Sequence, residues 1–227
     1  PQSWNKKKGF KLFLTRFSAL VVYRSDRKTT SDEAQTYLNP FVFNVTDLNL
    51  LSSNANLRST FYINRNHPVW SADITRVNGQ SRVLLVNGYE TRENSENVIN
   101  SRLNLNRNWG TYLQWINGEK SFFSQLLLSR NYSYTFVSCE PQLQFTSSNS
   151  MVGAAIIGKY YKADAGDVQS RNLEAGLEIR LSKAAKGSFN GNFRLVTIEF
   201  NGDAVSPIGY ELMRGLLPGK NYTWNFV

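Results

Sequence analysis

Cysteine and histidine are almost missing from this sequence, which has one residue of each type, Cys139 and His67, among 227 residues. A disulfide framework needs paired cysteines and a structural zinc site needs about four Cys or His ligands, so the chain can form neither by itself. A hydrolytic triad needs a base, and His67 precedes Pro68 in a predicted turn with no nucleophile motif nearby. We therefore expect no catalytic residue, no metal, no cofactor and no enzymatic activity.

Long apolar runs are missing as well. The stretch of about eighteen apolar residues that indicates a transmembrane helix does not occur, although membrane strands would escape this test because they alternate. Basic residues outnumber acidic ones by 26 to 17, but Lys6, Lys7 and Lys8 form their only run. The surplus of basic charge suits a solvated surface or contact with anionic lipid headgroups, and its scatter argues against a nucleic-acid footprint.

The sequence is instead rich in segments with a period of two, separated by Asn, Gly and Ser. The clearest covers residues 172–182, where Leu173, Ala175, Leu177, Ile179 and Leu181 alternate with polar residues. Successive side chains of a strand point to opposite sides of its sheet, so this segment predicts a strand with one apolar and one charged face. The end of the chain repeats the pattern with Tyr222, Trp224 and Phe226.

Such segments predict roughly ten hairpin-connected antiparallel strands. Many are about nine to fourteen residues long, which suits strands that cross a bilayer better than the shorter strands typical of globular proteins. We predict one all-β unit over residues 1–227: a first strand at 10–24, a long loop at 25–54, a strand meander at 55–200, a loop at 201–219 with one helical turn, and the start of a further strand at 220–227.

Two local signals refine this layout. Asn78-Gly79 and Asn117-Gly118 stand between alternating runs, where the Asn-Gly pair is a strong hairpin signal, so we predict turns there. In residues 187–200 the apolar phase changes from Phe189, Phe193 and Leu195 to Val196, Ile198 and Phe200. A change of phase within one strand predicts a β-bulge.

Three segments resemble a known family. They are NLRSTFYINRNHP at 56–68, LLVNGYETR at 84–92, and the stretch from KGSF at 186 through IEFNG at 198 and PIGYEL at 207 to GLLPGKNYTW at 215–224. Together they resemble the C-terminal barrel region of large, poorly characterised outer-membrane proteins of Bacteroidota. The resemblance implies a transmembrane β-barrel in the bacterial outer membrane, with no known catalytic residues. It also implies that further strands complete the barrel, because family members are longer at both ends.

On this reading each strand has a lipid side and a lumen side. The lipid-facing candidates are Leu173, Ala175, Leu177, Ile179, Leu181, Tyr222, Trp224 and Phe226, and the lumen-facing candidates are Arg58, Glu174, Glu178 and Arg180. Candidates for aromatic girdles at the membrane interfaces are found among Trp70, Trp109, Tyr112, Trp115, Tyr160, Tyr161, Tyr222 and Trp224. Glu174 and Glu178 stand about 13 Å apart along a strand, too far for a glycosidase pair, so with Arg180 they predict a ladder of lumen charges.

The sequence thus favours an integral outer-membrane barrel that acts as a pore, a transport or secretion component, or an envelope anchor. Its expected partners are outer-membrane lipid, lipopolysaccharide, and other envelope subunits or the rest of its own chain. The alternative is a soluble β-sandwich or jelly roll that binds carbohydrate or protein at the cell surface, in which the apolar faces would form an internal core. A third reading, an enzyme on a β scaffold, lacks an acid/base constellation.

Overall fold

The computed structural model describes residues 16–29, 50–86, 88–147, 152–183 and 187–227, and these residues form an all-β fold. The strands are β1 (Phe17–Thr29), β2 (Leu50–Ile63), β3 (Trp70–Leu85), β4 (Gly88–Asn104), β5 (Trp109–Ser124), β6 (Tyr132–Thr146), β7 (Val152–Asp164), β8 (Gln169–Lys183), β9 (Gly187–Asn201) and β10 (Gly219–Phe226). One α-helix, α1 (Pro207–Met213), lies between β9 and β10, where one helical turn was predicted, and a short 3-10 helix (Leu128–Arg130) lies between β5 and β6.

All ten strands belong to one antiparallel sheet in the order of the chain, β1 to β10. This confirms the predicted hairpin meander. β1 and β10 are the two edges, and no pairing joins them among the described residues, so the sheet is open. The apolar side chains of Leu20 and Val22 on β1 are exposed at one of these edges.

The connections differ between the two ends of the strands. At one end, which we call the turn edge, strands are joined through residues 64–69, 105–108, 147–151 and 184–186. At the other end, the loop edge, the connections are residues 30–49, 86–87, 125–131, 165–168 and 202–218. The two longest connections therefore lie at the loop edge. β1 begins and β10 ends at the turn edge.

The boundaries predicted for the first part of the chain differ from the structure. β1 extends to Thr29 and β2 begins at Leu50, because Ser25 to Lys28 pair with Ala55 to Ser52 in a continuous register. Part of the predicted loop at 25–54 is therefore strand. Residues 10–15 of the predicted first strand and residues 30–49 of the loop lie outside the described residues.

Both predicted Asn-Gly turns are wrong. Asn78-Gly79 lies in the middle of β3 and Asn117-Gly118 in the middle of β5, each paired on both sides. A turn preference is worth little against the many cross-strand pairs of such a long strand. Gly118 has a separate role, since a Cβ there would lie 2.5 Å from the carbonyl oxygen of Ser95 and 3.1 Å from the Phe136 ring.

The predicted bulge in β9 is also wrong. The register between β8 and β9 runs without a shift from Gln169–Asn201 to Lys183–Gly187. Phe189, Phe193 and Leu195 therefore lie on one face of the sheet, and Val196 and Ile198 lie on the other. Because the register is intact, the change of phase reflects a change in which face of the strand is apolar.

The buried core lies under α1. Leu212 is completely buried and packs in a cluster with Tyr134, Phe136 and Tyr161. Met213 packs in a neighbouring cluster with Val196 and Ile198 of β9. We call the sheet face under α1 the covered face and the opposite face the open face.

Capping residues at both ends stabilise α1. The Ser206 hydroxyl accepts a hydrogen bond from the Gly209 N–H at 3.0 Å, and Pro207 begins the helix, where its missing N–H has no cost. Arg214 ends the helix in the left-handed conformation. Its guanidinium lies 5.3 Å from the centre of the Tyr161 ring on the covered face. This geometry turns the long β9–β10 connection back over the sheet.

Candidate functional site

The open face carries a continuous band of exposed apolar side chains in the half of the sheet next to the turn edge, and on β8 and β10 the band reaches just past the middle, to Leu173 and Tyr222. Leu177, at the middle of this band on β8, is 42% exposed, and Trp224 on the edge strand β10 is 66% exposed. We call this band the apolar belt. Its large exposed members are Phe17, Val21, Phe61, Ile74, Ile99, Leu103, Trp109, Leu113, Trp115, Val152, Ile156, Leu173, Leu177, Ile179, Leu181, Phe189, Phe193, Tyr222, Trp224 and Phe226.

The structure places all eight lipid-facing candidates on the open face, and all eight are exposed. The cross-strand partners of Leu177 are Ile156 on β7 and Phe193 on β9, and Phe193 pairs in turn with Trp224. Because directly paired residues of an antiparallel sheet share a face, the belt is continuous across these strands. No other element covers it among the described residues.

Aromatic rings gather along the belt near the turn edge. Trp109 and Phe145 have ring centroids 5.0 Å apart, and Phe189 and Phe226 are 6.2 Å apart. Of the girdle candidates, Trp70, Trp109, Trp115, Tyr160, Tyr222 and Trp224 lie on the open face. Tyr112 and Tyr161 lie on the covered face instead, where they do not fit a girdle on the open face.

The covered face of the same half is polar. A row of paired side chains crosses the sheet there, formed by Asp73, Asn100, Gln114, Glu140, Lys159 and Glu174. Asn100 donates to Asp73 at 2.8 Å and accepts from the Tyr112 hydroxyl at 2.7 Å. Lys159 and Glu140 form an ion pair at 2.8 Å. Most of these groups have partners, which is the arrangement that partly buried polar groups require.

Arg194 on β9 joins the two carboxylates that the sequence singled out. Its guanidinium lies 2.9 Å from Glu174 and 3.4 Å from Glu178. Arg194 pairs in register with Gly176, which lies between the two glutamates, and a Cβ at Gly176 would be 3.4 Å from Arg194 Cγ. The small residue leaves room for the arginine side chain to lie between the carboxylates.

The predicted lumen-facing residues all lie on the covered face, but their partners differ from expectation. Arg180, the predicted member of the charge ladder, is 3.8 Å from Glu178 and its side chain is 72% exposed. Arg194, which sequence reasoning missed, is the main partner of Glu174 and Glu178. Arg58 is exposed on the covered face of β2. Cross-strand register is the signal that identifies Arg194.

The half of the sheet next to the loop edge has the opposite arrangement. Its open face is mainly polar, with Gln80 donating to Glu93 at 2.8 Å and Ser95 donating to Asn78 at 2.9 Å. Its covered face carries the aromatic core under α1. We call these two parts of the sheet the turn-side half and the loop-side half.

The structure gives the single histidine a local role. His67 Nδ1 accepts hydrogen bonds from the backbone N–H groups of Val69 and Trp70, at 3.2 and 3.3 Å, in the predicted turn between β2 and β3. Across the described part of the chain, no three Cys, His, Asp or Glu side chains group in a way that could hold a metal ion. No helix in that part is long and apolar enough to span a membrane.

No family model matches this chain, and comparisons with curated proteins and with solved structures gave no match.

Proposed function

We propose that this chain is part of an integral β-barrel of the bacterial outer membrane, with the open face toward lipid and the covered face toward the lumen. The observation that carries the proposal is the distribution of polarity in the turn-side half. There, large apolar side chains are exposed while charged side chains such as Glu178 are largely buried on the opposite face. This is the reverse of a water-soluble protein and is what a barrel strand requires in lipid.

The size of the belt supports the same proposal. On β8 the belt runs from Leu173 to Leu181, eight steps of about 3.3 Å, or about 26 Å along the strand. With the tilt of about 40° usual in barrels, this spans about 20 Å, close to the apolar band of about 25 Å that outer-membrane barrels show. Monomeric soluble proteins rarely expose an apolar patch larger than a few hundred Å².

A sheet in lipid must have its edges paired. Each unpaired backbone N–H or C=O group in a bilayer costs several kcal/mol, so only closed barrels span membranes with strands. The edges β1 and β10 therefore need neighbours, supplied by further strands of a longer chain or of another subunit. In the proposed barrel the present ten strands form one part of the wall.

The proposed role is passage or anchoring rather than catalysis. The alternating charges of Glu140, Lys159, Glu174 and Arg194 would line the lumen. They would attract or repel a passing solute according to its charge. α1 lies over the covered face at the loop-side end, where it narrows the space available for passage. The short turns would face the periplasm and the longer loops the outside, as in other outer-membrane barrels.

Fractionation of native membranes tests the proposal. We expect the protein to stay in the membrane pellet after carbonate or urea washing, to be released only by detergent, and to migrate differently on a gel before and after heating. Recovery in the soluble fraction, with no heat-dependent shift, would contradict the barrel. It would favour the sandwich alternative, in which a second layer covers the belt and the loops bind glycans or proteins.

A further inference from the structure

Two cations lie opposite each other just beyond the apolar belt. Lys162 of β7 and Arg171 of β8 are direct cross-strand partners on the open face. The next pair toward the belt is Tyr160 and Leu173. Directly opposed side chains have Cβ atoms about 5 Å apart, so the two positive charges repel each other.

The protein does little to neutralise this pair. Lys162 has no hydrogen bond or ion pair among the described residues, and its other cross-strand neighbour is Val137. Arg171 has one ion pair, with Glu199 at 3.6 Å, in which both side chains are more than half exposed. Exposed ion pairs of this kind contribute little to stability.

A second acid on this face, Asp164, has hydrogen-bond partners of its own. Asp164 follows Lys162 by two residues on β7, so it lies on the same face and further from the belt. It accepts hydrogen bonds from the Gly166 N–H at 3.0 Å and from Gln169 Nε2 at 3.1 Å. The Lys162 ammonium therefore has unused donors, and Arg171 shares its charge only with the exposed carboxylate of Glu199.

We propose that Lys162 and Arg171 bind the phosphate of an anionic lipid headgroup. The inference rests on the proposed function, because it needs the belt to lie in a bilayer. The pair would then lie at the level of the headgroups, with Tyr160 at the interface and Leu173 against the acyl chain. The arginine fork can hold two phosphate oxygens, and the lysine adds a mobile point charge. A phosphate between them removes the repulsion.

Native mass spectrometry of the full chain in neutral detergent measures this binding. Phosphatidylglycerol and phosphatidylcholine are titrated separately, and the dissociation constant of the first bound lipid is determined for each. We expect the wild-type protein to prefer phosphatidylglycerol and the double variant Lys162→Gln/Arg171→Gln to bind it about thirty-fold more weakly. This corresponds to about 1 kcal/mol for each cation near anionic lipid.

The matched control is Arg58→Gln/Arg180→Gln, which removes the same charge from exposed positions on the covered face. It should keep the wild-type preference. An equal loss of preference in both double variants would overturn the proposal, because net charge alone would then explain binding. Displacement of the lipid by inorganic phosphate, at an ionic strength matched with chloride, would overturn the lipid assignment and leave a site for free phosphate.

Failure of the proposed function is a separate result. If the protein is soluble after carbonate washing, no bilayer positions the pair and the barrel is wrong. If the protein needs detergent for release but shows no preference for phosphatidylglycerol, the barrel stands and the phosphate site is wrong.

Discussion

Two leucines show how the halves of this sheet differ. Leu212, on α1 in the loop-side half, is completely buried among aromatic rings of the covered face, whereas Leu177, on the open face of the turn-side half, is 42% exposed. In the loop-side half the apolar groups are inside and the open face is polar, as in a soluble protein. In the turn-side half this arrangement is reversed. On its open face one sheet therefore exposes polar side chains in one half and apolar side chains in the other, and the boundary crosses single strands such as β9.

The largest expected effect is in the loop-side core. Leu212→Ala removes a fully buried side chain and leaves a cavity, so we expect the free energy of unfolding to fall by about 2–5 kcal/mol. Leu177→Ala is the same change in the belt, where no protein cavity forms, and should cost less than about 1 kcal/mol. Urea unfolding of the two variants in the same detergent checks the comparison. Equal losses would mean that Leu177 is packed as tightly as Leu212 and that the halves do not differ.

The next effect concerns a charge placed in the belt. Leu177→Arg should impair membrane insertion by about 2–4 kcal/mol, because a charge on the lipid face at mid-bilayer is costly. Asn225→Arg is the control: Asn225 is next to Trp224, at the same depth, but on the covered face and exposed. Membrane-inserted and soluble fractions are compared after expression. Normal insertion of the Leu177 variant would count against lipid contact.

A smaller effect separates the two glycines that the sequence placed in turns. Gly118→Ala puts a Cβ against the Ser95 carbonyl oxygen and the Phe136 ring, so we expect about 1–3 kcal/mol of destabilisation from overpacking. Gly79→Ala meets its nearest neighbour, Asn56 Nδ2, at an ordinary 3.8 Å and should be near neutral. Urea midpoints distinguish the two. If both variants behave alike, close packing does not explain why glycine stands at 118.

The smallest effect tests the polar face of the turn-side half. Arg194→Gln leaves Glu174 and Glu178 without their main partner. Arg194 itself is 39% exposed, so solvent screens the pair and we expect a loss of about 1 kcal/mol. Arg180→Gln, with its 72% exposed side chain, should change stability by less. A larger loss from the Arg180 variant would show that the charge network is centred elsewhere.

The sequence predicted the strands and their two faces, but not how the strands pair or which parts of them another element covers. The alternation of Leu173, Leu177 and Leu181 predicted β8 and its two faces, because the period of two is a direct consequence of strand geometry. The Asn-Gly pairs led to wrong turn predictions at Gly79 and Gly118, because a dipeptide preference is local while strand pairing spans the sheet. Only the structure shows that these positions lie in the middle of long strands.

The bulge predicted in β9 was wrong for a similar reason, because the sequence pattern of one strand is local. Phe193 and Val196 lie on different faces because side chains alternate along a strand. Both are apolar because the belt lies on one face near the turn edge and α1 covers the other near the loop edge. The sequence of one strand does not tell which part of it another element covers. Arg194 was missed for a related reason, since its position between Glu174 and Glu178 depends on the register of two strands.

Spin labels at three positions test the reversal of polarity most directly. Single cysteines at Leu177, Asn225 and Gln80, in a Cys139→Ser background, would carry the label into lipid bilayers, and accessibility to oxygen and to a water-soluble nickel complex would be measured. We expect oxygen to dominate at Leu177 and the nickel complex to dominate at Asn225, on the covered face, and at Gln80, on the open face of the loop-side half. If the nickel complex reaches Leu177 as readily as Gln80, the belt is in water and the proposed contact of the open face with lipid is wrong.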